Sequence, residues 1–582
     1  MISSIPHISV GNNNVVHYKG NAIQTILIND IKASMEEFKS IPIEEIASVE
    51  LLHAYINTSN GETELALNVK TKFKPGVKGY LDFSPGVLQE FFYGGTSVSV
   101  KSRNTIVRLM HSNLWNSNEG ETVQRYLNQA VDYKMKRNLY QPFGMLSVNH
   151  HLSDNQSLNL KFLYSGINEQ GEALDNNHPL KKEMNLNYYG VNFLYDWSFG
   201  KYVFKLNSDY ILNNQDYENK SPLERYTSHQ NFKEFAISPF LSRKLEKGTV
   251  DLGIIYTDRH FDVQNLMNGQ SQPHSFNQSL FNIVLKANYD ITKKLSATAN
   301  IRYQAYQDAY TKNETFLPYI KILQGIGDKT EIGLAYHKKI YRPNIYTLSG
   351  GVYKETNGIT TLTNPLLSFQ TSHYYETSFS HQWNKVNISL SGSYEKIKNH
   401  LSILGRVEQG AVINQMVNAD REEFGPLISL SIPLLKTLDL NTYYGYQYSN
   451  REYQNQVYSG DYYRLGVSLR GKLKNYNFYV NTDYRNKIYD VNYYRALKPD
   501  ISFSISRNFF KNLIYASLAV RNILDNDATQ EFTFEDQSSM KLKNTTYMNS
   551  RLILLTLSYN FGKNFNSQTK NINKINNDLL PN

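Results

Sequence analysis

The feature that most constrains this chain is a two-residue alternation of apolar and polar side chains along most of its length. In one example, Ile388 and Leu390 alternate with Ser389 and Ser391. Because successive side chains of a β-strand point to opposite faces, such a segment has one apolar and one polar face. The pattern recurs in 22 candidate strands between residues 77 and 561. Most of the chain is therefore predicted to be all-β.

Strand and connection lengths distinguish a membrane barrel from a soluble sandwich. Many candidate strands exceed the roughly 9 to 11 residues that cross a bilayer at a tilt, whereas soluble strands average about five or six. Short turns alternate with long polar stretches, as in bacterial outer-membrane barrels, and the even strand count permits closure. The predicted short turns are 153–156, 200–201, 291–294, 327–329, 383–385 and 510–512. The predicted long loops are approximately 116–139, 170–183, 215–231, 262–274, 344–370 and 526–547.

Composition excludes several other classes of protein. The longest apolar run, 552–557, is far shorter than the about 20 residues of a membrane-spanning helix. An aromatic content of 13% argues against disorder as the main state. Without cysteine the chain has no disulfide, thiolate metal site or thiol nucleophile. The net charge of +9 is not gathered into a basic stripe, so nucleic acid is not an expected partner.

The last candidate strand is predicted to close the barrel. Its lipid-facing residues are predicted to be Ile553, Leu555, Leu557, Tyr559 and Phe561, with the last two in an aromatic girdle. The tail after this strand is rich in Asn, Lys and Ser and has no period, which predicts disorder.

The first 74 residues lack the alternation and predict a small α+β unit. Strands are expected at 25–30 and 65–70, one or two helical turns at 34–40, and a helix beginning at 42–49. The N-terminus has no secretory signal. We therefore expect either a cytoplasmic protein or a sequence that begins within a longer precursor.

A long-loop motif consists of Arg342 and Pro343 at a strand end, Leu348 within the loop, and Asn364 and Pro365 at the return. With the segments at 5–10 and 25–30, the segment at 41–51, and the closing hairpin from 520, it resembles the TonB-dependent outer-membrane receptors. The likeness covers nearly the whole chain.

The resemblance implies a barrel of about 22 antiparallel strands in the outer membrane of a Gram-negative bacterium, with a small α+β plug in the lumen. It divides the chain into a partial plug (1–74), a barrel (75–562) and a disordered periplasmic tail (563–582). The signal peptide and the segment that binds TonB are expected to be missing. Expected partners are outer-membrane lipid and the barrel-assembly machinery, with the TonB complex and a surface lipoprotein as candidates.

The resemblance implies uptake of a nutrient ligand captured by extracellular loops. Two alternatives stay open: a structural or adhesive surface barrel, and an outer-membrane enzyme with its site on the loops. The sequence shows no nucleophile elbow, phosphate-binding loop or paired-histidine helix, so no catalytic, metal or cofactor residue is predicted. Tyr341, Tyr346 and Tyr353 cluster around the long loop, but packing or a girdle position explains them better than ligand binding, and ligand residues stay unassigned.

Overall fold

The computed structural model describes most of the chain beyond residue 75 and parts of the segment before it. Some described ranges, such as 118–126 and 528–534, are described by their backbone alone. The described residues are 8–10, 16–18, 21–23, 25–29, 31–33, 38, 46–56, 63–71, 76–87, 90–102, 104–126, 129–175, 178–221, 225–267, 270–308, 312–343, 345–348, 352–354, 360–408, 411–510, 513–524, 528–534, 541–548 and 551–562.

In the described part of the first 75 residues, seven strands form two sheets. The first sheet has the order β1-β2-β3, and the second, which we call the N-terminal sheet, has the order β5-β4-β7-β6. The strands are β1 (Ile8–Val10), β2 (Val16–Tyr18), β3 (Asn21–Ala22), β4 (Thr25–Ile28), β5 (Ile31–Ala33), β6 (Ile46–Ile56) and β7 (Thr63–Thr71).

The N-terminal sheet has an apolar core of its own. Ile26, Leu67 and Val69 are buried there, and Phe38 packs with the same cluster. The predicted strands at 25–30 and 65–70 correspond to β4 and β7. The helix predicted from 42 to 49 is wrong where it can be compared, because Ile46 already lies in β6. Pairing with β7 overrides the local helical signal. Of the predicted helical segment 34–40 only Phe38 is described, and residues 41–45 also lie outside the described residues.

The rest of the described chain forms a closed barrel whose wall consists of 22 antiparallel strands, which confirms the predicted fold class. Strands β21, β22, β29, β30, β33 and β34 lie in connections at one end of the wall. The strands and one short helix are β8 (Gly76–Pro85), β9 (Glu90–Lys101), β10 (Thr105–Tyr126), β11 (Gln129–Ser153), β12 (Gln156–Asp175), β13 (His178–Phe199), β14 (Tyr202–Lys220), β15 (Arg225–Leu245), β16 (Gly248–Met267), β17 (Gln270–Asp290), β18 (Leu295–Asp308), β19 (Lys312–Ile326), β20 (Thr330–Tyr341), α1 (Ile345–Leu348), β21 (Val352–Lys354), β22 (Thr360–Leu362), β23 (Gln370–Trp383), β24 (Val386–Glu408), β25 (Ala411–Leu435), β26 (Leu438–Tyr453), β27 (Gln456–Leu473), β28 (Tyr476–Arg485), β29 (Lys487–Tyr489), β30 (Tyr493–Ala496), β31 (Ile501–Phe509), β32 (Ile514–Arg521), β33 (Ala528–Phe534), β34 (Lys541–Met548) and β35 (Leu552–Gly562).

The barrel closes where β35 pairs with β8. Leu557 lies opposite Phe83, and Gly562 lies opposite Lys78. Gly562 has a φ of 121°, and a Cβ atom there would lie 2.2 Å from the carbonyl oxygen of Val77, so the closure needs glycine at this position. The chain thus enters and leaves the wall at the same end, which we call the inner end; the opposite end is the outer end.

The connections differ between the two ends. The described residues of the six predicted short turns lie at the inner end, between consecutive wall strands. Residues 511 and 512 lie outside the described residues. At the outer end the prediction of long loops is only partly right. The stretches predicted as loops at 116–139, 170–183, 215–231 and 262–274 are mostly continuations of paired strands, because the hydrogen-bonded ladder persists where both faces are wet and the alternation fades. Long outer connections run over 342–369, 486–500 and 522–551.

The N-terminal sheet contacts the inward face of the barrel wall. Lys161 of β12 donates a hydrogen bond from Nζ to the backbone carbonyl of Lys32 at 2.8 Å. Lys161 is 7% exposed, whereas its strand neighbour Phe162 is 42% exposed on the other face. The described residues contain no helix long and apolar enough to span a membrane. The predicted tail, 563–582, lies outside the described residues.

Candidate ligand site at the outer end of the barrel

The inward face of the wall is polar. Asn282, Arg302 and Ser449 are almost completely buried, while Ile301 on the opposite face of β18 is half exposed. A buried polar side chain is costly unless it is hydrogen-bonded, and the Gln304 side chain donates to the side-chain oxygen (Oδ1) of Asn282 at 2.8 Å. A ligand that enters the barrel therefore meets amide, hydroxyl and guanidinium groups.

A hairpin made of β29 and β30 leaves the wall at the outer end and crosses in front of neighbouring strands. Its tip contains Val491 and Asn492, which are each 1% exposed. Asn492 accepts a hydrogen bond from the backbone N–H of Gly405 at 2.9 Å and donates one to the carbonyl of the same residue at 2.8 Å. The Val491 amide donates to the Ile403 carbonyl at 3.0 Å. The tip is therefore docked on β24, which extends beyond its pairing with β23.

Arg451 of the wall strand β26 binds the hairpin and fixes it to the wall. Its Nη1 donates to the carbonyls of Asp490 at 2.6 Å and Val491 at 3.1 Å, and its guanidinium lies 4.4 Å from the centre of the Tyr489 ring. Asp490 also lies 3.9 Å from Arg495. Burial raises the pKa of the Asp490 carboxyl, which Arg495 partly offsets. The hairpin is therefore fixed to β24 and β26 at the outer end of the wall.

A second cluster lines the wall beside this hairpin. The Arg485 guanidinium lies 3.9 Å from the centre of the Tyr462 ring, and the Tyr462 hydroxyl donates to Glu423 at 3.3 Å. Glu423 pairs with Arg421, whose Nη1 lies 3.1 Å from Nε2 of His400. The cluster joins arginine, tyrosine, glutamate and histidine over strands β24 to β28, and we call it the arginine–tyrosine cluster.

The environment of His400 keeps its ring neutral. Burial, together with the neighbouring Arg421 guanidinium, lowers the pKa of His400 to about 4. The opposite shift occurs at His260 on β16, where a hydrogen bond with Asn277 and the neighbouring Asp262 raise the histidine pKa. Two histidines at the outer end therefore differ in charge at mildly acidic pH.

The predicted loop motif is spread over two parts of the wall. Arg342 donates to Gln304 of β18, and its guanidinium lies 4.9 Å from the centre of the Tyr306 ring. The Asn364 backbone N–H donates to the Thr347 carbonyl in α1 at 3.0 Å, and its side chain donates to the Met416 carbonyl of β25 at 3.3 Å.

The remaining motif residues frame the same loop. Leu348 ends α1 and is half-buried, Pro343 is buried and Pro365 is exposed. The motif therefore anchors both ends of the 342–369 connection. Tyr341 is half-buried at the end of β20, whereas the side chains of Tyr346 and Tyr353 lie outside the described residues.

The closing strand places its two residue sets on opposite faces. Leu555, Leu557 and Tyr559 are exposed on the outward face, and Ile553 and Phe561 follow the same alternation with partial exposure. These five residues are brought together as one outward stripe of β35.

Sequence reasoning did not single out the hairpin tip, Arg451 or the arginine–tyrosine cluster. The one local signal was Asp490-Val491-Asn492 between two short apolar-alternating runs, which is typical of a turn but says nothing about where the turn docks. Among the described residues there is no group of three or more side chains placed to hold a metal ion.

Comparison with known families gives two matches. The family model described as TonB dependent receptor-like, beta-barrel, matches residues 92–423, more than half of the chain. The model described as outer membrane protein beta-barrel family matches residues 306–559. A comparison with curated proteins gives no match.

Solved structures share the fold at low sequence identity. The siderophore receptor PirA from Pseudomonas aeruginosa has a TM-score of 0.60 at 13% identity, covering 96% of this chain and 95% of that chain. The copper transporter OprC has a TM-score of 0.68 at 11% identity, covering 96% and 94%. The ferric yersiniabactin uptake receptor FyuA from Yersinia pestis has a TM-score of 0.64 at 11% identity, covering 96% and 94%.

Proposed function

The chain belongs to the TonB-dependent receptor-like β-barrel family of the Gram-negative outer membrane, and from this premise we propose that it takes up a nutrient ligand captured at the outer end. The hairpin of β29 and β30 would narrow the path that a captured ligand follows, and the arginine–tyrosine cluster would line the wall beside it. The N-terminal sheet would block the lumen until a ligand is bound. The candidate ligand classes are a metal chelate, cobalamin, a glycan and a peptide.

The contact between Lys161 and the Lys32 carbonyl carries the proposal, because it ties the N-terminal sheet to the inward face of the wall. A barrel of 22 strands encloses a lumen too wide for its own side chains to fill. The N-terminal sheet has a buried apolar core that can fold inside such a lumen. We therefore propose residues 1–74 as the plug and 75–562 as the barrel.

TonB is the partner that family membership implies. We propose that the barrel-assembly machinery inserts the chain and recognises β35, whose outward stripe ends at Phe561. A surface lipoprotein over the outer opening stays a prediction from the resemblance.

A cross-link between the plug and the wall tests the proposal. The chain has no cysteine, so Lys32→Cys with Lys161→Cys introduces one defined pair. The pair is bridged with a cleavable bis-maleimide. Cells that express this variant are given labelled ferric chelates, cobalamin, oligosaccharides or peptides. We expect one class to accumulate in cells with TonB, to stop accumulating after cross-linking, and to recover after cleavage.

Two controls separate the alternatives. Lys32→Cys paired with Lys181→Cys, an exposed site near the outer end of β13, should give no internal cross-link. Deletion of 1–74 should give large conductance steps in planar bilayers while the full chain stays closed. A folded, surface-exposed barrel that accumulates no class of ligand in any strain would favour the structural or adhesive alternative. Turnover of a ligand at the loops would favour the enzyme.

A further inference from the structure

Two belts of aromatic side chains mark the lipid boundary on the outward face of the wall. On β13, Trp197 lies near the inner end and Tyr189 lies eight residues before it, and both are exposed. At about 3.3 Å per residue, eight residues span about 26 Å along the strand, and a tilt of about 35 to 45° reduces this to about 20 Å across the membrane. The two rings therefore lie near the edges of an apolar band about 25 Å tall. Members of the outer belt on other strands include Trp115, Tyr140, Tyr210, Phe235, Tyr256 and Phe281.

A pocket of about 420 Å³ opens at the top of this outer belt, across strands β9 to β12. Trp115 and Tyr140 lie on the outward face, where they are 39% and 43% exposed, on the same side of β10 and β11 as the lipid-facing Leu109 and Leu146. The pocket therefore faces sideways, toward the headgroups of the outer leaflet, and not toward the lumen. The residues that give it its chemical character are Glu90, Trp115, Lys136, Tyr140, Asn168 and Gln170.

The chemistry of the pocket suits a sugar ring. Two aromatic faces offer flat apolar contacts, and the amides of Asn168 and Gln170 offer both donors and acceptors. One acid and one base leave the lining without net charge. The Tyr140 hydroxyl already donates to Asn113 at 3.0 Å, and the Asn168 side chain donates to Asn185 at 2.6 Å, so these groups are held in place before a ligand arrives.

The wall beneath the pocket leaves room for a lipid chain. On β11 the outward position two pleats below Tyr140 is Gly144, where a Cβ atom would meet nothing within 4 Å. The surface there is lower than at the neighbouring Leu146, which is exposed. A molecule with its headgroup in the pocket could thus lay an acyl chain along this depression.

We propose that this pocket binds a sugar residue in the headgroup of an outer-leaflet glycolipid. The site is separate from the proposed uptake path, because it lies on the outward face of the wall. It would fix strands β9 to β12 in the membrane through a specific lipid, in addition to the general contact with the hydrocarbon.

Tryptophan fluorescence can report occupation of the pocket. The chain has three tryptophans, so the variant Trp197→Phe with Trp383→Phe leaves Trp115 as the only one. The full chain in nanodiscs is titrated with lipooligosaccharide, with its sugar-free lipid anchor, with phosphatidylglycerol and with the free core oligosaccharide. We expect a saturable change in Trp115 emission with lipooligosaccharide, and at least tenfold weaker binding for each of the other three.

Equal responses to lipooligosaccharide and to the sugar-free lipids would overturn the proposal, because the pocket would then bind acyl chains alone. An equal response to the free oligosaccharide would assign the pocket to soluble glycans instead. A lack of any change would also overturn it.

A second measurement uses variants of the lining. Asn168→Ala with Gln170→Ala should weaken lipooligosaccharide binding at least tenfold, and Gly144→Leu should weaken the glycolipid but not the free sugar. Tyr189→Ala serves as the matched control, because Tyr189 is exposed in the same outer belt but outside the pocket. Heat-modifiable migration checks that each variant is folded. Equal weakening by Tyr189→Ala would mean that the effect is not specific to the pocket.

Discussion

The N-terminal sheet and the barrel wall place their apolar side chains in opposite directions. In the sheet, Leu67 and Val69 are buried in one apolar cluster. In the wall, Leu109 and Phe316 are more than half exposed, while polar residues such as Asn282 are completely buried. The sheet follows the rule of a protein in water, and the wall follows the rule of a protein whose surroundings are hydrocarbon.

The contrast shows that exposure alone does not tell whether a residue is well placed. An exposed leucine in the sheet would lose contact with a core, whereas an exposed leucine in the wall is in contact with lipid. Among the described residues, the inward apolar side chains of the wall gather in small clusters, such as Ile255 with Val284. The stability of the wall must therefore come mainly from its closed hydrogen-bonded ladder and its lipid contacts.

The largest expected effect is the difference in stability loss between a leucine-to-alanine substitution in the N-terminal sheet and one in the barrel wall. Leu67→Ala should destabilise the N-terminal sheet by about 2 to 5 kcal/mol, because it leaves a cavity in a packed core. Leu109→Ala, on the exposed wall, removes lipid contact without creating a cavity and should cost much less. Hydrogen exchange of β7 and β10 amides, with heat-modifiable migration of the barrel, measures the two effects. Similar losses would mean that the sheet is not an independently packed core.

The two faces of the closing strand provide the next comparison. Leu557→Arg should cost about 2 to 4 kcal/mol, because it places a charge on the lipid-facing side near mid-membrane. Ser558→Arg should cost much less, because Ser558 faces the lumen and interacts with Asp82 of β8. The measurement is the folded fraction of each variant in outer membranes. Ser558→Arg is the control for Leu557→Arg, because it introduces the same side chain at the adjacent position. Equal losses would contradict the facing of β35.

The smallest expected effect is a pH dependence at the outer end. The pKa of His400 is lowered to about 4, so its contribution to stability is complete above about pH 6.5 and is lost as the pH falls toward 4. The raised pKa of His260 has the opposite sign, since its contribution is present below about pH 6.5 and lost as the pH rises. Histidine NMR titrations in nanodiscs should give His400 the lower pKa. The reverse order would show that burial and the Arg421 guanidinium do not keep the His400 ring neutral.

Much of the wall could be predicted from local pattern. The alternation at Ile388 and Leu390, and its recurrence in 22 segments, predicted the strands and their two opposite faces. This works because neighbouring residues of a strand alternate between two environments. The outward stripe from Leu555 to Tyr559 follows from the same rule.

The outer end depended on tertiary structure. The wall strands extend beyond the membrane because hydrogen bonds to the neighbouring strands continue there. Both faces of the strands meet water at that end, so the apolar–polar alternation that marks a strand in the sequence is absent. At Ile46 the sequence predicted a helix, but the residue lies in a strand because it pairs with β7.

The arrangement of the candidate site also needed the closed fold. Asn492 binds Gly405 across 87 positions of sequence, and Arg451 reaches Asp490 across 39. A period of two determines which face of a strand meets lipid, since that choice is made within a few residues. It carries no information about which distant strand a hairpin will meet, because that contact exists only after the 22 strands have closed into one wall.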